Sequence, residues 1–318
     1  MARLIAPTNL PVLIKEAFAK ARASGDLIYY PTEVAVLLVG SFAFQLRFSP
    51  SLAHKPRPPR PVEPNARPFN PFENPSPALL VAQLPSHRLV LNKFAIVPEH
   101  FLLVTRDFKP QTHLLEADDI DAAYACVQAY HDVGKELFVF FNSGEHSGAS
   151  QPHRHLQLLP VELMKEGLES AEYGSDWAVL ANKVASGQHE KTLPFTVFTS
   201  PVNAEMSAEA KHLAYLLLYK RAIGAVMASV EAAEEGEAQI SYNFAMTRDS
   251  MILCPRTSEA TRIFDGDGKD VGSVSLNGTV LAGTALVKNE LEWDVLRTSK
   301  TALSDVLARI GVPPASML

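Results

Sequence analysis

The alternation of apolar and polar residues along the chain predicts both helices and strands. Apolar residues spaced three and four apart predict a first helix over residues 10–24. The following stretch, 27–46, is apolar and rich in residues that favour strands. Because this stretch is broken at Pro31 and Gly40, we expect two strands here, joined near residues 32–33.

The same patterns predict the elements of the rest of the chain. In order they are a strand hairpin at 87–108, a helix at 118–136, a buried strand at 137–141, a strand at 194–198, a helix at 208–233, a second hairpin at 242–255 and a helix at 290–310. Since a hairpin stands beside a helix in both halves, we predict an α+β protein with two related lobes of antiparallel sheet packed with helices. The predicted lobes are residues 1–165 and 191–318, and residues 166–190 connect them.

Composition and charge narrow the classes of function. The chain has 318 residues, and its net charge of −6 argues against binding to nucleic acid or to an anionic membrane surface. It has no apolar run long enough to cross a membrane and no secretory signal at its N-terminus, so we expect a cytoplasmic protein. Its two cysteines, Cys126 and Cys254, are too few for a disulfide framework or a zinc cluster.

A polar loop at 142–151 follows the predicted buried strand 137–141 and is the first candidate for chemistry. It contains Gly144, Gly148 and three serines. Small residues let backbone N–H groups turn inward and let a phosphate approach closely, as in anion-binding nests. We therefore interpret this loop as a candidate phosphate site.

Three polar side chains follow the loop on one face of a predicted strand. They are His153, His155 and Gln157, and the residues between them point to the other face. Two histidines one residue apart have three interpretations: half of a metal site, a pair of hydrogen-bonded core histidines, or a nucleophile with its support. The metal site lacks further ligands, since His146 is the one spare histidine nearby and glutamine is a poor transition-metal ligand. A glutamine amide is, however, a good hydrogen-bond donor to a phosphoryl oxygen.

These residues resemble the signature of a known family. The matching segments are Asn142-Ser143-Gly144, Ser147-Gly148-Ala149-Ser150-Gln151 and His153-Arg154-His155-Leu156-Gln157. Their order is similar to that in fungal-type diadenosine tetraphosphate phosphorylases. These enzymes are ATP adenylyltransferases of the histidine-triad superfamily, and galactose-1-phosphate uridylyltransferase (GalT) is a more distant relative. The resemblance covers most of the chain and implies an HIT-like and GalT-like fold, HIT standing for histidine triad.

The resemblance also implies roles for particular residues. His155 matches the histidine that attacks the substrate, His153 would fix the local geometry, and Gln157 replaces the third histidine of the superfamily hydrolases. The other positions implied to bind substrate are Lys55, Asn92, Lys93, Asn142, Gly148, Ala149, Ser150, Gln151, Asn277, Gly278, Thr279, Thr284 and Lys288. The segment that holds the last five departs from the family at Val280 and Thr284, where glycine and methionine are usual.

Two of the implied segments also have plainer interpretations. Lys55 opens the proline-rich stretch 55–77, which is either a surface linker or partner-binding motif, or a segment that wraps the site and brings positive charge to it. The glycine-spaced stretch 274–288 is either a turn followed by a buried strand or a segment that reaches back to the substrate. The residues alone leave both pairs of alternatives open.

The reaction implied by the resemblance is transfer of an adenylyl group. Diadenosine tetraphosphate would adenylylate His155 and release ATP, and inorganic phosphate would then attack the adduct to give ADP. Neutral imidazole suits the first step, and a glutamine at position 157 cannot titrate to activate water, which favours transfer over hydrolysis. A divalent cation such as Mg2+ is expected only as a companion of the polyphosphate, without a tightly bound cofactor.

Three other functions stay open at the level of sequence. One is a hexose-1-phosphate uridylyltransferase, although many of these enzymes use cysteine pairs for zinc that this chain lacks. Another is a hydrolase of dinucleoside polyphosphates, which would form product without phosphate. The third is a non-catalytic nucleotide-binding or metal-binding protein, which would form no adenylyl adduct and show no turnover.

Overall fold

The computed structural model describes residues 4–54, 69–187, 193–227 and 229–314, and an antiparallel sheet of eight strands forms its centre. In spatial order the strands are β10 (Phe198–Pro201), β12 (Ser250–Arg256), β11 (Ser241–Met246), β8 (Leu137–Ser143), β9 (His155–Pro160), β7 (Phe101–Thr105), β5 (His87–Leu91) and β4 (Leu80–Gln83). Every neighbouring pair in this sheet is antiparallel. The first three strands in that order come from the second half of the chain, so a single sheet spans both halves.

The pairing of β8 with β11 is the seam between the two halves. Its register places Asn243 opposite Asn142 and Tyr242 opposite Ser143. The end of β8 is where the predicted phosphate loop begins. The seam therefore brings residues of the second half directly against that loop.

Smaller sheets complete the strand architecture of the described residues. The pair β1 (Ile28–Tyr29) and β6 (Phe94–Ala95) is parallel, and β13 (Ala260–Phe264) and β14 (Asp270–Ser275) form an antiparallel hairpin. A three-stranded sheet contains β2 (Glu33–Val39), β3 (Phe42–Phe48) and β15 (Thr284–Val287). Because β15 lies parallel to β3, this sheet is a second connection between the C-terminal and N-terminal parts of the chain.

The helices of the described residues pack around these sheets. They are α1 (Leu10–Ser24), α2 (Ala117–His131), α3 (Val161–Met164), α4 (Leu180–Ala185), α5 (Ala208–Val226), α6 (Glu290–Thr298) and α7 (Ala302–Ile310). A capping box starts α2, in which the Glu116 side chain accepts from the backbone N–H of Asp119 and the Asp119 side chain accepts from that of Glu116. No helix within the described ranges is both long enough and apolar enough to cross a membrane.

The side chains of β8 enter two different apolar clusters, one on each face of the large sheet. Val139 and Phe141 lie in the apolar cluster on one face of the large sheet, which α1, α2 and α5 cover. Phe138 and Phe140 lie in the cluster on the other face, which includes the three-stranded sheet, α4, α6 and α7. A strand covered on both faces has no polar side, and its sequence is accordingly apolar at each of these positions.

Several predicted boundaries were wrong, each for a local reason. The turn in the first strand region lies at Gly40, whose φ of 59° is in the left-handed region, and not near residues 32–33. The strand predicted at 194–198 begins only at Phe198, because the backbone N–H of Thr196 donates to the carbonyl of Val312 instead. The helix predicted at 118–136 ends at His131, just before Gly134 with its φ of 74°.

Two further helices are shorter than predicted. The helix expected at 208–233 ends at Val226, and the side chain of Gln239 holds the residues that follow by hydrogen bonds to the backbone of Glu231 and Ala233. The helix expected at 290–310 is two helices, α6 and α7, because the Ser299 side chain accepts from the backbone N–H of Ala302 and starts a new helix there.

Candidate active site

His155 lies where two central strands separate. The last paired residues of β8 and β9 are Phe140 and Gln157, and beyond them a buried glutamine, Gln111, fills the gap. Its amide nitrogen donates to the carbonyls of Asn142 (2.8 Å) and His155 (3.2 Å). Its amide oxygen accepts from the backbone N–H of His155 at 2.8 Å. Gln111 thus fixes the distance between the start of the loop and the backbone of His155.

The ring of His155 is oriented by its neighbour two residues before it. Its Nδ1 donates to the carbonyl of His153 at 2.8 Å, so the proton of the neutral ring is on Nδ1 and the lone pair is on Nε2. Nε2 makes no hydrogen bond to the described residues. Burial lowers the pKa of His155 to about 4, although its hydrogen bond to the His153 backbone opposes this shift. His155 is therefore neutral at pH 7, with an unprotonated nitrogen for nucleophilic attack.

The side chain of His153 is held at both ring nitrogens. Its Nε2 donates to the carbonyl of Thr105 at 2.9 Å, with the Thr105 hydroxyl 3.0 Å away, and its Nδ1 accepts from the amide of Asn70 at 3.0 Å. Burial lowers its pKa, so the ring is neutral at pH 7. With both nitrogens occupied, His153 is placed to support His155 and not to attack a substrate itself.

The end of the proline-rich stretch lies directly on the histidine pair. The ring of Phe72 is buried, and its centroid is 5.0 Å from that of His155 and 5.9 Å from that of His153. Asn70, two residues before it, makes the hydrogen bond to His153. Residues 55–68, which include Lys55, lie outside the described residues, so the predicted contact of Lys55 has no position here.

The end of β8 and the loop after it are docked onto a segment of the second half. Asn142 accepts at its side-chain oxygen from the amide of Asn243 (2.9 Å) and the backbone N–H of Gly278 (2.8 Å). A Cβ on Gly278 would lie 2.8 Å from that same oxygen, and a Cβ on Gly148 would lie 2.8 Å from the Cβ of Asn277. Glycine is needed at both positions because the two segments approach so closely.

The outer part of this loop is open to a ligand. Ala149 and Ser150 are exposed, while Gly148 and Gln151 are half-buried. The backbone N–H groups of Ala149, Ser150 and Gln151 take part in none of the hydrogen bonds found among the described residues, and Gly148 ends a 3₁₀ turn over Glu145–Ser147. Gln157 is half-buried on β9 on the same side as His155, as the alternation of the strand requires.

The predicted residues of the second half have mixed surroundings. The Asn277 side-chain oxygen accepts from the backbone N–H (3.0 Å) and hydroxyl (2.8 Å) of Thr279, which starts a 3₁₀ turn over Gly278–Ala282. The hydroxyl of Thr284 is buried without a hydrogen-bond partner in the described structure. The interpretation of 274–288 as a turn and a buried strand is confirmed for the backbone, since β15 follows this turn.

Three predicted residues have other neighbours than the loop. Asn92 bonds through its amide nitrogen to Nδ1 of His100 at 3.0 Å and through its oxygen to the backbone N–H of Phe94 at 3.0 Å. Lys93 is exposed, with its ammonium 5.9 Å from the centre of the Phe94 ring. Lys288 is exposed beyond the end of β15 that is opposite to Thr284.

Comparison with known proteins identifies the family. A model described as the Ap4A phosphorylase N-terminal domain matches residues 1–171, and one described as the ATP adenylyltransferase C-terminal domain matches residues 191–313. The chain belongs to the Ap4A phosphorylase family. The resemblance noted in the sequence is thereby confirmed.

Individual relatives agree with this membership. The Saccharomyces cerevisiae protein named diadenosine 5',5'''-P1,P4-tetraphosphate phosphorylase 2 is 28% identical over 320 residues, which cover 96% of this chain and 95% of the relative. Protein APA1 of the same yeast is 26% identical over 323 residues, which cover 98% of this chain and 96% of the relative.

The solved structure of yeast Ap4A phosphorylase Apa2 in complex with AMP matches with a TM-score of 0.77 at 24% identity, covering 98% of this chain and 99% of that chain. The complex of the same enzyme with Ap4A matches with a TM-score of 0.75, again at 24% identity, covering 96% and 98%. The predicted α+β fold of antiparallel sheet and packed helices is confirmed.

Sequence reasoning missed a histidine of this family member beside the site. His100 is buried immediately before β7, the strand next to β9, and burial lowers its pKa to about 3, with Gln157 and His155 as polar neighbours. Its Nδ1 bonds to Asn92, and its Nε2 is buried without a hydrogen-bond partner in the described structure. His100 lies within the predicted hairpin at 87–108, where the sequence gives no signal that a histidine is buried.

It also missed two buried arginines that hold the backbone of the site. Arg154 donates to Asp119 at 2.7 Å and to Glu116 at 2.8 Å, which ties the start of β9 to the N-terminus of α2. Arg256 donates to the side-chain oxygen of Asn243 and, at 3.0 Å, to the carbonyl of Leu276. The contacts of Arg154 with Glu116 and Asp119 and of Arg256 with Asn243 and Leu276 join residues 13 to 38 positions apart, so no local pattern could have revealed them.

The described residues offer no evident metal centre. No group of three or more His, Cys, Asp or Glu side chains within 4–54, 69–187, 193–227 and 229–314 is arranged to hold a metal ion. The sequence left open that His153 and His155 form half of a metal site. Three of their four ring nitrogens make hydrogen bonds to protein groups. Their geometry suits the interpretation as nucleophile and support.

Proposed function

We propose that this chain phosphorolyses diadenosine tetraphosphate, giving ATP and ADP, through an adenylyl group carried on His155. The observation that carries the proposal is the neutral His155 ring, with its Nδ1–H bonded to the His153 carbonyl and its Nε2 unoccupied beside an open loop. The name of the yeast relative, a tetraphosphate phosphorylase, supports the choice of substrate.

In the first half-reaction the lone pair on Nε2 of His155 attacks the α-phosphorus of one adenosine. The N–P bond forms, the bond from that phosphorus to the bridging oxygen breaks, and ATP leaves with the electron pair of that bond. The Nδ1 proton stays where it is, and the positive charge that develops on the ring is stabilised by the carbonyl of His153, 2.8 Å away.

In the second half-reaction an oxygen of inorganic phosphate attacks the same phosphorus. The N–P bond breaks, its electron pair returns to Nε2, and ADP is released. His155 thus returns to its starting protonation state without giving up a proton in either step. The reaction is reversible because overall one phosphoanhydride bond is broken and another is formed, and neither direction needs a general acid or base on His155.

Donors around His155 would bind the charge of the transferring phosphoryl group. The N–H groups of residues 148–151 lie on an open loop after β8, and the amide of Gln157 lies on the same face of β9 as His155. Donors fixed before the reaction stabilise the charge that builds up in the transition state. Because Gln157 cannot titrate, it offers such a donor without supplying a base for water.

The expected divalent cation fits this proposal as part of the substrate. The described residues contain no cluster of carboxylates or histidines that would hold a metal on the protein. We propose that Mg2+ accompanies the polyphosphate when the substrate binds. We also place the reaction in the cytoplasm, where ATP and phosphate are both present.

The test is to incubate the purified protein with labelled diadenosine tetraphosphate, with and without phosphate. Without phosphate we expect about one equivalent of ATP and a mass increase of one adenylyl group, as two-step transfer requires. With phosphate we expect continuous release of ATP and ADP. Steady AMP production unaffected by phosphate would instead indicate a hydrolase, and the absence of both adduct and turnover would indicate a binding protein.

Two variants assign the adduct to a residue. His155→Ala should form no adduct, while its melting temperature stays close to that of the wild type. His146→Ala is the matched control, because His146 is an exposed histidine of the same loop. An adduct of normal yield on His155→Ala would remove His155 as the nucleophile.

A further inference from the structure

Asn70 and Phe72 contact the two histidines, and neither residue has a role in the reaction proposed above. The Asn70 amide nitrogen donates to Nδ1 of His153 at 3.0 Å, and its oxygen accepts from the backbone N–H of Phe72 at 3.0 Å. The ring of Phe72 packs against His155, with 5.0 Å between centroids and 48° between planes. A single short segment therefore occupies both a nitrogen of His153 and a side of the His155 ring.

The chemical problem for a phosphorylase is that water competes with phosphate for the adenylyl group. Inorganic phosphate at neutral pH already carries an anionic oxygen and can attack without losing a proton. Water is a poor nucleophile unless a general base takes its proton as it attacks. An adduct is thus protected from water when no unoccupied base lies near it.

His153, whose backbone carbonyl holds the His155 ring, also carries an imidazole that could act as a base through Nδ1. Since Nε2 of that ring donates to the Thr105 carbonyl, Nδ1 carries the lone pair and could accept a proton. Its hydrogen bond from Asn70 occupies that lone pair. Phe72 covers His155 with an apolar ring that offers no hydrogen bond to hold a water molecule.

We propose that Asn70 and Phe72 determine the choice of acceptor, by keeping the His153 base and water away from the adenylyl group on His155. This inference rests on the proposed function. If Asn70 were absent, a water oxygen would attack the phosphorus, its proton would pass to Nδ1 of His153, the N–P electrons would return to Nε2 of His155, and AMP would leave. Asn70 acts through His153 and is a positioning residue.

The experiment measures the lifetime of the adduct in the absence of phosphate and the ratio of AMP to ADP in its presence. Asn70→Ala should shorten the lifetime by about 10²-fold and raise the share of AMP, as release of a general base predicts. Phe72→Ala should shift both quantities in the same direction. Phe69→Ala is the control in the same segment, since its side chain is 76% exposed, and it should leave both unchanged.

A double variant separates this mechanism from general damage to the site. Asn70→Ala combined with His153→Asn removes the freed base but keeps the backbone carbonyl that orients His155, so the adduct lifetime should return toward that of the wild type. If Phe72→Ala is too unstable to purify, Phe72→His keeps a planar ring at this position but adds nitrogens that can hydrogen-bond water, so it should also shorten the adduct lifetime and raise the share of AMP.

The outcomes distinguish this inference from the proposed function. If the wild type forms no adduct, the proposed function itself fails. If the wild type forms the adduct but Asn70→Ala, folded and active, shows the wild-type lifetime and the wild-type ratio of AMP to ADP, the role of Asn70 is wrong. If the double variant loses its adduct as fast as Asn70→Ala does, His153 is not the base.

Discussion

Replacing Gln111 with leucine tests the residue that joins the loop to the nucleophile. The change keeps the approximate side-chain volume but removes three hydrogen bonds, to the carbonyls of Asn142 and His155 and from the N–H of His155. The N–H of His155 and the carbonyl of Asn142 would then be buried without these partners, at about 1–3 kcal/mol each. We therefore expect the free energy of unfolding to fall by about 2–6 kcal/mol.

Activity should fall as well, because Gln111 sets the position of the His155 backbone. A displacement of about 1 Å at a reacting group costs on the order of 10²-fold in rate. Urea denaturation measures the first effect, and the rate of the initial ATP release measures the second. Gln239→Leu is the control, since Gln239 also bonds two backbone groups but is exposed, and surface changes of this kind usually stay within about 0.5 kcal/mol. A Gln111→Leu protein with wild-type stability and a wild-type rate of ATP release would refute the reasoning.

Three further predictions concern the glycine contacts, the pH dependence of stability and the role of Gln157. Gly278→Ala places a Cβ 2.7 Å from the Phe140 ring and should cost about 1–3 kcal/mol in denaturation experiments, whereas Gly224→Ala, in open space on α5, should stabilise by about 0.5–1 kcal/mol. Because burial lowers the pKa of His155 to about 4 and of His100 to about 3, the folded state binds fewer protons than the unfolded state, whose histidines titrate near 6.5. The free energy of unfolding should therefore fall as the pH is lowered from 6.5 toward 4, by about 1.4 kcal/mol per pH unit for each histidine, and a rise in denaturation midpoint over that range would contradict it. Gln157→His should divert part of the product to AMP, measured by chromatography, because a titratable group then lies beside the adduct.

The parts of the fold that the sequence predicted are those set by local periodicity. The helix α1, the strand β8 and the hairpin of β11 and β12 were expected close to their observed bounds, because each has a regular apolar pattern and a clear turn at its end. The common face of His155 and Gln157 also followed from the alternation of a strand, whereas His153 lies before β9, where it forms an isolated bridge with Pro110. These features depend on neighbours within a few residues.

The parts that could not be predicted depend on residues far apart in the chain. Gln111 contacts His155 across 44 positions, and Asn70 contacts His153 across 83. Nothing in the sequence around either residue distinguishes it from any other polar residue in a loop. The side chain of Asn92, which was expected to bind the nucleotide, hydrogen-bonds to His100 and to the backbone N–H of Phe94. These contacts are visible only in the folded hairpin.

The shared sheet has a consequence for cutting or recombining this protein. Each half contributes one strand to the seam, β8 from the first and β11 from the second, with partners from Tyr242 and Ser143 to Met246 and Val139. A fragment ending between the halves would expose an unpaired strand edge, which readily pairs with other chains. Either fragment expressed alone should therefore aggregate, whereas the two expressed together should reassemble into an active enzyme. A chimaera with another member of the family would need matching side chains along both edges of that seam.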